Sequence, residues 1–485
     1  MRLLTAQHVQ PKITRLVGIH ATLLSGVLVA TGLAAGSDLA PSDTSFPQPM
    51  EKQITQGPGG RILTNVGVWS PDGHWIVYDT RPDPAGERFE GDTIEMVNVD
   101  TGEVRLLYRS ANGAHCGVAT FHPRLPKVAF ILGPEKPSPD WQYNAFHRQG
   151  VIVNTREPGQ AIQMDARDIE PPFTPGALRG GSHVHVWESA GEWLSFTYED
   201  HVLSRFREPG SGHDLNQRNV GVSFPGRPVK VTHDHPRNHS GEYFSVLATR
   251  TTSQPRPGSD DILKACEEGW VGTNGYVRAD GSRQIRALAF QGTVVGSGGQ
   301  AFPEIFIADL PADLTAPGDG PLQGTLDRAP FPPRGTMQRR LTWTELRKYP
   351  GVRGPRHWLR SSPDGSRIAF LMADDEGIIQ FYTVSPNGGD PNQLTRNAQP
   401  VSSAFTWSSN GRFLAHTFHN SVCVTDVNTG KTTPLTPRFE ENEAPRPDAC
   451  VFSPDSSRIA YVRRVSGSNQ IFVIPAATRS ERTPP

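Results

Sequence analysis

The stretch Trp69-Ser70-Pro71-Asp72-Gly73-His74-Trp75-Ile76-Val77-Tyr78 recurs in diluted form along the chain, and this recurrence constrains the fold more than any other feature. Clear copies occupy 361–370 and 452–461, and weaker ones begin at Phe121, Trp187 and Trp407. Each copy spells strand, tight turn, strand: Pro presets the turn's φ, Asp caps it, and Gly takes the left-handed position. The alternating apolar run that follows has the period of a half-buried strand. Copies spaced by roughly 40–60 residues, each worth about four short strands, are the mark of propeller blades. The expected fold is all-β, a seven-bladed β-propeller.

A second element sets the blade boundaries. Ile54-Thr55, Val231-Thr232, Leu341-Thr342, Leu394-Thr395 and Leu435-Thr436 each end a short strand shortly before a new copy, as outermost strands do. Ile54-Thr55 precedes every blade, so it is expected to complete the last one beside 470–475. Closure of this kind removes free sheet edges. The blade after Thr232 is irregular. Its innermost strand is expected at 242–248, followed by a long insertion, 251–284, with a helix-like stretch at 260–268; long insertions in compact scaffolds often carry function. The Pro- and Gly-rich loop 311–335 receives no role.

The formal net charge is -1, which offers no electrostatic case for nucleic acid or an anionic membrane. Cys116, Cys266, Cys423 and Cys450 follow no metal or disulfide spacing and read as buried thiols, with Cys423 and Cys450 the one pair worth checking. At the N-terminus, basic residues precede an apolar run that ends at Ala34-Ala35-Gly36, the layout of a secretory signal over 1–36. An uncleaved anchor and an upstream extension ahead of Met50 are the competing readings. A linker over 37–50, a propeller over 51–476 and a disordered tail over 477–485 complete the organisation. With the signal removed no membrane span is expected, and the location expected is periplasmic, or cytoplasmic if translation starts at Met50.

Side chains at the start of each innermost strand point into the central channel. Counting back from the Trp69-equivalent position gives Asn65, His183, His357, Ser403 and Asp448, with His185 two residues beyond His183 on the same face of a regular strand. His115 precedes the second blade, and either His233 and His235 or His239 occupies the place in the irregular one. Converging imidazoles serve either as ligands for a divalent metal, manganese or zinc, or as acid and base groups. His147, His201, His213, His416 and His419 read as loop or surface residues. No Gly-x-Ser-x-Gly elbow, phosphate-binding loop or Cys-x-x-Cys is present, and Asp374-Asp375-Glu376 reads as a solvated turn.

Longer segments carry a resemblance. They include Gly113-Ala114-His115-Cys116-Gly117-Val118, Arg148-Gln149-Gly150-Val151-Ile152-Val153, Gly180-Gly181-Ser182-His183-Val184-His185-Val186, Glu267-Glu268-Gly269-Trp270 and Pro355-Arg356-His357-Trp358. Together they make the chain, over nearly all of 51–474, similar to the YidR-like family of bacterial Tol-type (TolB-like) propellers. The resemblance implies the fold and a Tol-like label, and its members start near Met50. More distantly the chain resembles oligogalacturonate lyases, propellers in which channel histidines and a glutamine hold manganese and a histidine acts as base. That likeness implies His183, His185, His239 and His357 as metal ligands. His115 is then the candidate base, and Arg179 and Arg356 would hold a uronate carboxylate. Gly180 stands where the lyases have glutamine.

Two functions follow. One is a non-catalytic binding propeller of the cell envelope, recognising a protein or an acidic glycan at its channel face. The alternative is a metal-dependent lyase acting on acidic sugars. The first is preferred, because a fold alone licenses no activity.

Overall fold

A computed structural model describes residues 50–206, 214–232, 234–355 and 358–476, all within the second of the two units, 1–46 and 47–485, into which the chain divides. These residues form seven four-stranded antiparallel sheets. Blades 1 and 2 open with inner strands Gly60–Ile62 and Cys116–Phe121. Blades 3 and 4 open with Gly180–Trp187 and Ile262–Trp270. Blades 5, 6 and 7 open with Arg360–Ser361, Thr406–Trp407 and Pro445–Phe452.

The repeated turn is held by its own side chains. Asp72 Oδ1 accepts from Ser70 Oγ at 2.5 Å and His74 N at 3.0 Å, while Ser70 Oγ accepts from Trp75 N at 2.9 Å. Asp364, Asn410 and Asp455 make the same bonds in blades 5, 6 and 7. The next position is left-handed: Gly73 has φ 70° and its blade 7 counterpart, Ser456, has φ 58°. Replacing Asp455 by Ala is expected to cost about 1–2 kcal/mol, as removal of a capping side chain does. Its hydrogen bonds hold the carboxyl down to about 2, so this contribution is full above the ordinary carboxylate range and fades as pH falls toward 2. Urea midpoints of wild type and variant at neutral pH and near pH 2 check both statements.

The apolar–Thr motif closes blades from outside. Thr55 Oγ1 accepts from Ile471 N at 2.9 Å and donates to Gln470 Oε1 at 2.9 Å. Thr395 does the same with Phe381 N and Gln380, Thr342 with Ile305 N and Glu304, and Thr436 takes the N–H of Val422. Lys52–Gln53 pairs with Val473 and Phe472, so the N-terminal strand completes blade 7 as the motif predicts. Glu51 fastens the seam through Arg463 and Tyr461.

Indoles tie blade to blade. Trp69, Trp270 and Trp407 donate Nε1–H to Val451, Val186 and Arg360 carbonyls of the preceding blades, at 3.0, 2.9 and 2.9 Å. The apolar core lies between blades, as where Leu63, Val68 and Ile76 of blade 1 meet Val451, Ala460 and Ile471 of blade 7.

Blade 3 corrects the sequence reading. Phe244–Leu247, expected as an innermost strand, is the outermost strand of blade 3, paired with Asn219–Phe224. Thr249, not Thr232, plays the closing role there, accepting from Val220 N and donating to Asn219. The helix-like stretch 260–268 is extended from Ile262 onward and forms most of the inner strand of blade 4, where Ala265 and Cys266 pair with Gly292 and Gln291. Charged residues obscured its alternation because two register shifts interrupt the ladder. Loop 311–335 reaches back to blade 3, as described below. All four cysteines are buried and free. Asp374 shapes its turn by accepting from the N–H groups of Glu376 and Ile378 and from the Gln380 amide.

Candidate functional site

Three inner strands break their ladders on left-handed residues at the channel. Val118, Val184 and Glu267 have φ of 59°, 57° and 59°, each inside a register shift, and Gly67 takes φ 67° at the matching place in blade 1. A branched valine in the left-handed region is strained, by roughly 1–3 kcal/mol, and such strain concentrates at functional sites. The bulge turns the inner strand so that residues around it face a cavity of about 560 Å³ at the channel mouth.

One wall of that cavity is a continuous stack. The Val118 amide donates to Asp79 Oδ1 at 3.0 Å, and Arg81 Nε donates to Asp79 Oδ2 at 2.6 Å. Asp79 is wholly buried, which raises its pKa, while Arg81 and the Val118 N–H pull it down. The Arg81 guanidinium lies 4.7 Å over the Phe89 ring, Phe89 stacks on Tyr143 at 4.8 Å, and Arg148 covers Tyr143 at 5.2 Å. Each cation–ring contact contributes about 0.5–2 kcal/mol and fixes its guanidinium in place. Arg148 Nε donates to Tyr143 Oη at 2.9 Å; among the described residues it is the one arginine of the mouth with no carboxylate partner. Arg218 pairs with Glu199 at 2.5 Å and Arg446 with Asp448 at 3.1 Å.

His183 is the one candidate histidine among the described residues that borders this cavity. Burial drives its pKa well below the ordinary histidine value, and the nearby Arg148 and Arg218 charges push it further the same way. The face expected to be shared by His183 and His185 does not exist, because Val184 bulges between them: His183 pairs with Thr197 and the ladder resumes at Val186. His185 is fully buried, with Nε2 3.0 Å from Ser182 Oγ, which donates in turn to Asp165 at 2.5 Å. His239 pairs backbone to backbone with Arg167, whose charge adds to burial in holding its pKa down to about 3. His115 precedes the inner strand of blade 2, its carbonyl accepting from Gly133 N, and it does not border the cavity.

Arg179 also lies elsewhere. It is 0 % exposed, pairs with Asp200 at 2.6 Å, donates to the Thr325 and Arg328 carbonyls of loop 311–335, and covers Phe173 at 4.7 Å. Its donors are committed to holding that loop. Arg356 and His357 lie outside the described residues, as do His233 and His213. His147, His201 and His416, read as surface residues, are buried. Asp79, Arg81, Phe89, Tyr143 and Arg148 escaped the sequence reading because they come from second strands and loops, whereas the repeat register followed inner strands alone. The available signal was Asp79-Thr80-Arg81: two charges on one face of a strand that is otherwise apolar.

These features define a seven-bladed propeller with an aromatic-walled channel mouth in which arginines and carboxylates alternate. The chain belongs to the YidR family: it is 47% identical over 415 residues to the uncharacterised protein YidR of Escherichia coli (strain K12), covering 85% of this chain and 94% of that one. Residues 115–239 match a family described as a protein of unknown function (DUF3748). Among solved structures, an oligogalacturonate lyase in complex with manganese superposes with a TM-score of 0.51 at 11% identity, covering 88% of this chain and 94% of the lyase. TolB from Acinetobacter baumannii gives a TM-score of 0.34 at 13% identity over 84% of this chain and 81% of TolB. At 11% identity the likeness to the lyase is one of fold.

The lyase's manganese provides a test of the donor set. Among the described residues no group of three or more His, Cys, Asp or Glu side chains converges as metal ligands do. Burial and the Arg148 and Arg218 charges both oppose a positive charge on His183 itself. Gly180 admits no side chain, because a Cβ there would lie 2.1 Å from the Glu199 carbonyl. The described residues do not fit the metal.

Proposed function

We propose that the chain is a ligand-binding propeller of the cell envelope whose channel mouth takes an acidic glycan, with Arg148 meeting the ligand's carboxylate. The supporting observation is the ordered stack that ends on Arg148, a guanidinium held flat against Tyr143 with no carboxylate partner among the described residues. Rings and arginines on one wall suit a sugar that offers both a face and a carboxylate. A charge-assisted hydrogen bond of this kind contributes about 1.5–3 kcal/mol, or roughly ten- to hundredfold in affinity. Calorimetric titration of trigalacturonate into wild type and Arg148→Ala tests the reading. Binding weakened at least tenfold in a variant that is still folded at the titration temperature supports it; no binding by wild type, or equal affinities, overturns it.

The lyase alternative has the likeness of fold behind it, and the described residues do not supply its donor set. It would show as unsaturated uronate products and retained manganese. Export belongs to the same proposal. The signal read over 1–36 lies outside the described residues, among which no helix is long and apolar enough to cross a membrane. A mature N-terminus at Gly36 or Ser37 supports envelope location; one at Met50 contradicts it.

A further inference from the structure

We infer that the opposite end of the channel holds a second binding site, for a neutral sugar ring, built by Glu268, Arg360 and Trp187. The inner strands run from the mouth to the end that carries the repeated turns, and there a cavity of about 290 Å³ is bordered by these residues, by Trp270 and Trp407, and by Ser189 at its rim. Glu267 borders the mouth and its neighbour Glu268 this far cavity, so the blade 4 bulge separates the two.

Three buried polar groups here lack partners among the described residues. Glu268 is 4 % exposed; Oε2 accepts from Thr197 Oγ1 at 3.0 Å and Oε1 accepts from nothing. Arg360 is 9 % exposed; its two terminal nitrogens donate to the Leu359 carbonyl at 2.8 Å and Asn65 Oδ1 at 2.5 Å, and Nε–H donates to nothing. Trp187 is 7 % exposed, and its Nε1–H is unpaired although Trp69, Trp270 and Trp407 each donate to the preceding blade. Each unmade buried bond costs about 1–3 kcal/mol, so three residues bordering one cavity call for an occupant.

The chemistry of the occupant follows from theirs. Two N–H donors need acceptors, and the Glu268 oxygen needs a donor or, when protonated, an acceptor. Burial lifts Glu268 to about 7 and lowers Arg360 to about 10, and one acid against one guanidinium leaves no net preference for an ion. Hydroxyl groups, which both give and accept, satisfy all three. Half-buried Trp270 and Trp407 add aromatic faces for an apolar ring face. The site does not depend on the reading of the mouth, since its ligand carries no carboxylate.

Tryptophan fluorescence and saturation-transfer NMR on the full chain, with D-glucose, D-galactose and N-acetyl-D-glucosamine as probes, test the inference. At least one probe is expected to bind wild type. Glu268→Leu is expected to weaken it at least tenfold, and Ser189→Trp, an exposed rim position, to abolish it. Should Glu268→Leu fail to fold, the rim variant still decides. No binding by wild type, which leaves water as the occupant, or binding retained in either folded variant, overturns the inference.

Discussion

Lowering the pH from 7 to 5 is expected to cost the folded protein several kcal/mol of stability, through histidines that the fold buries neutral. Burial holds His122, His147 and His416 down to about 4, and His185 and His201 to about 3. The unfolded chain protonates these groups near 6.5 and the native one does not, so unfolding takes up protons on acidification. Their contribution is full above about pH 6.5 and falls by about 1.4 kcal/mol per pH unit for each group until its native pKa is reached. Glu268, lifted to about 7, runs the other way and offsets one of them.

Two of these histidines form a relay whose tautomers are set by their partners. Arg205 Nη2 donates to His201 Nε2 at 3.0 Å, His201 Nδ1–H to His147 Nε2 at 3.0 Å, and His147 Nδ1–H to the Gln142 carbonyl at 2.6 Å. Every member is neutral except the arginine, and Trp141 stacks on His147 at 3.7 Å. A proton added to either ring removes an acceptor the chain requires. Urea midpoints across pH 7 to 5 read the effect; a flat profile would show that these rings titrate normally.

Arg179→Met is expected to destabilise the protein by about 3–5 kcal/mol, the usual cost of leaving one member of a buried ion pair alone. Asp200, 1 % exposed, would keep only Tyr198 Oη, the Leu203 and Asn216 contacts and an uncompensated charge. The Thr325 and Arg328 carbonyls would lose their donor, loosening loop 311–335. Adding Asp200→Asn to Arg179→Met removes that charge, and the double variant is expected to recover part of the loss. Denaturant melts of the single and double variants check this. An Arg179→Met protein as stable as wild type would contradict the structural role given to this ion pair.

The ring was legible because its devices are local. The Ser-Pro-Asp-Gly turn bonds to itself, the apolar–Thr pair closes the third strand, and Lys52–Gln53 could be assigned to blade 7 for want of any earlier partner. Blade 4 was not legible, since its inner strand ends on Trp270 followed by Val271-Gly272 rather than the turn signature. The mouth was half legible. Repeat register put His183 at the channel, but register assumes a regular strand, and the left-handed Val184 sends His185 into the core. Arg148 and its stack arise from the meeting of a blade 1 loop with a blade 2 loop, a contact with no period in the sequence.

A crystal structure with trigalacturonate is the most direct test of the proposal that the mouth receives an anion at the end of that stack. The expected result is a uronate carboxylate on the guanidinium of Arg148, with its ring beside Tyr143. A carboxylate held instead by Arg179, or a sugar bound away from Tyr143, would contradict it.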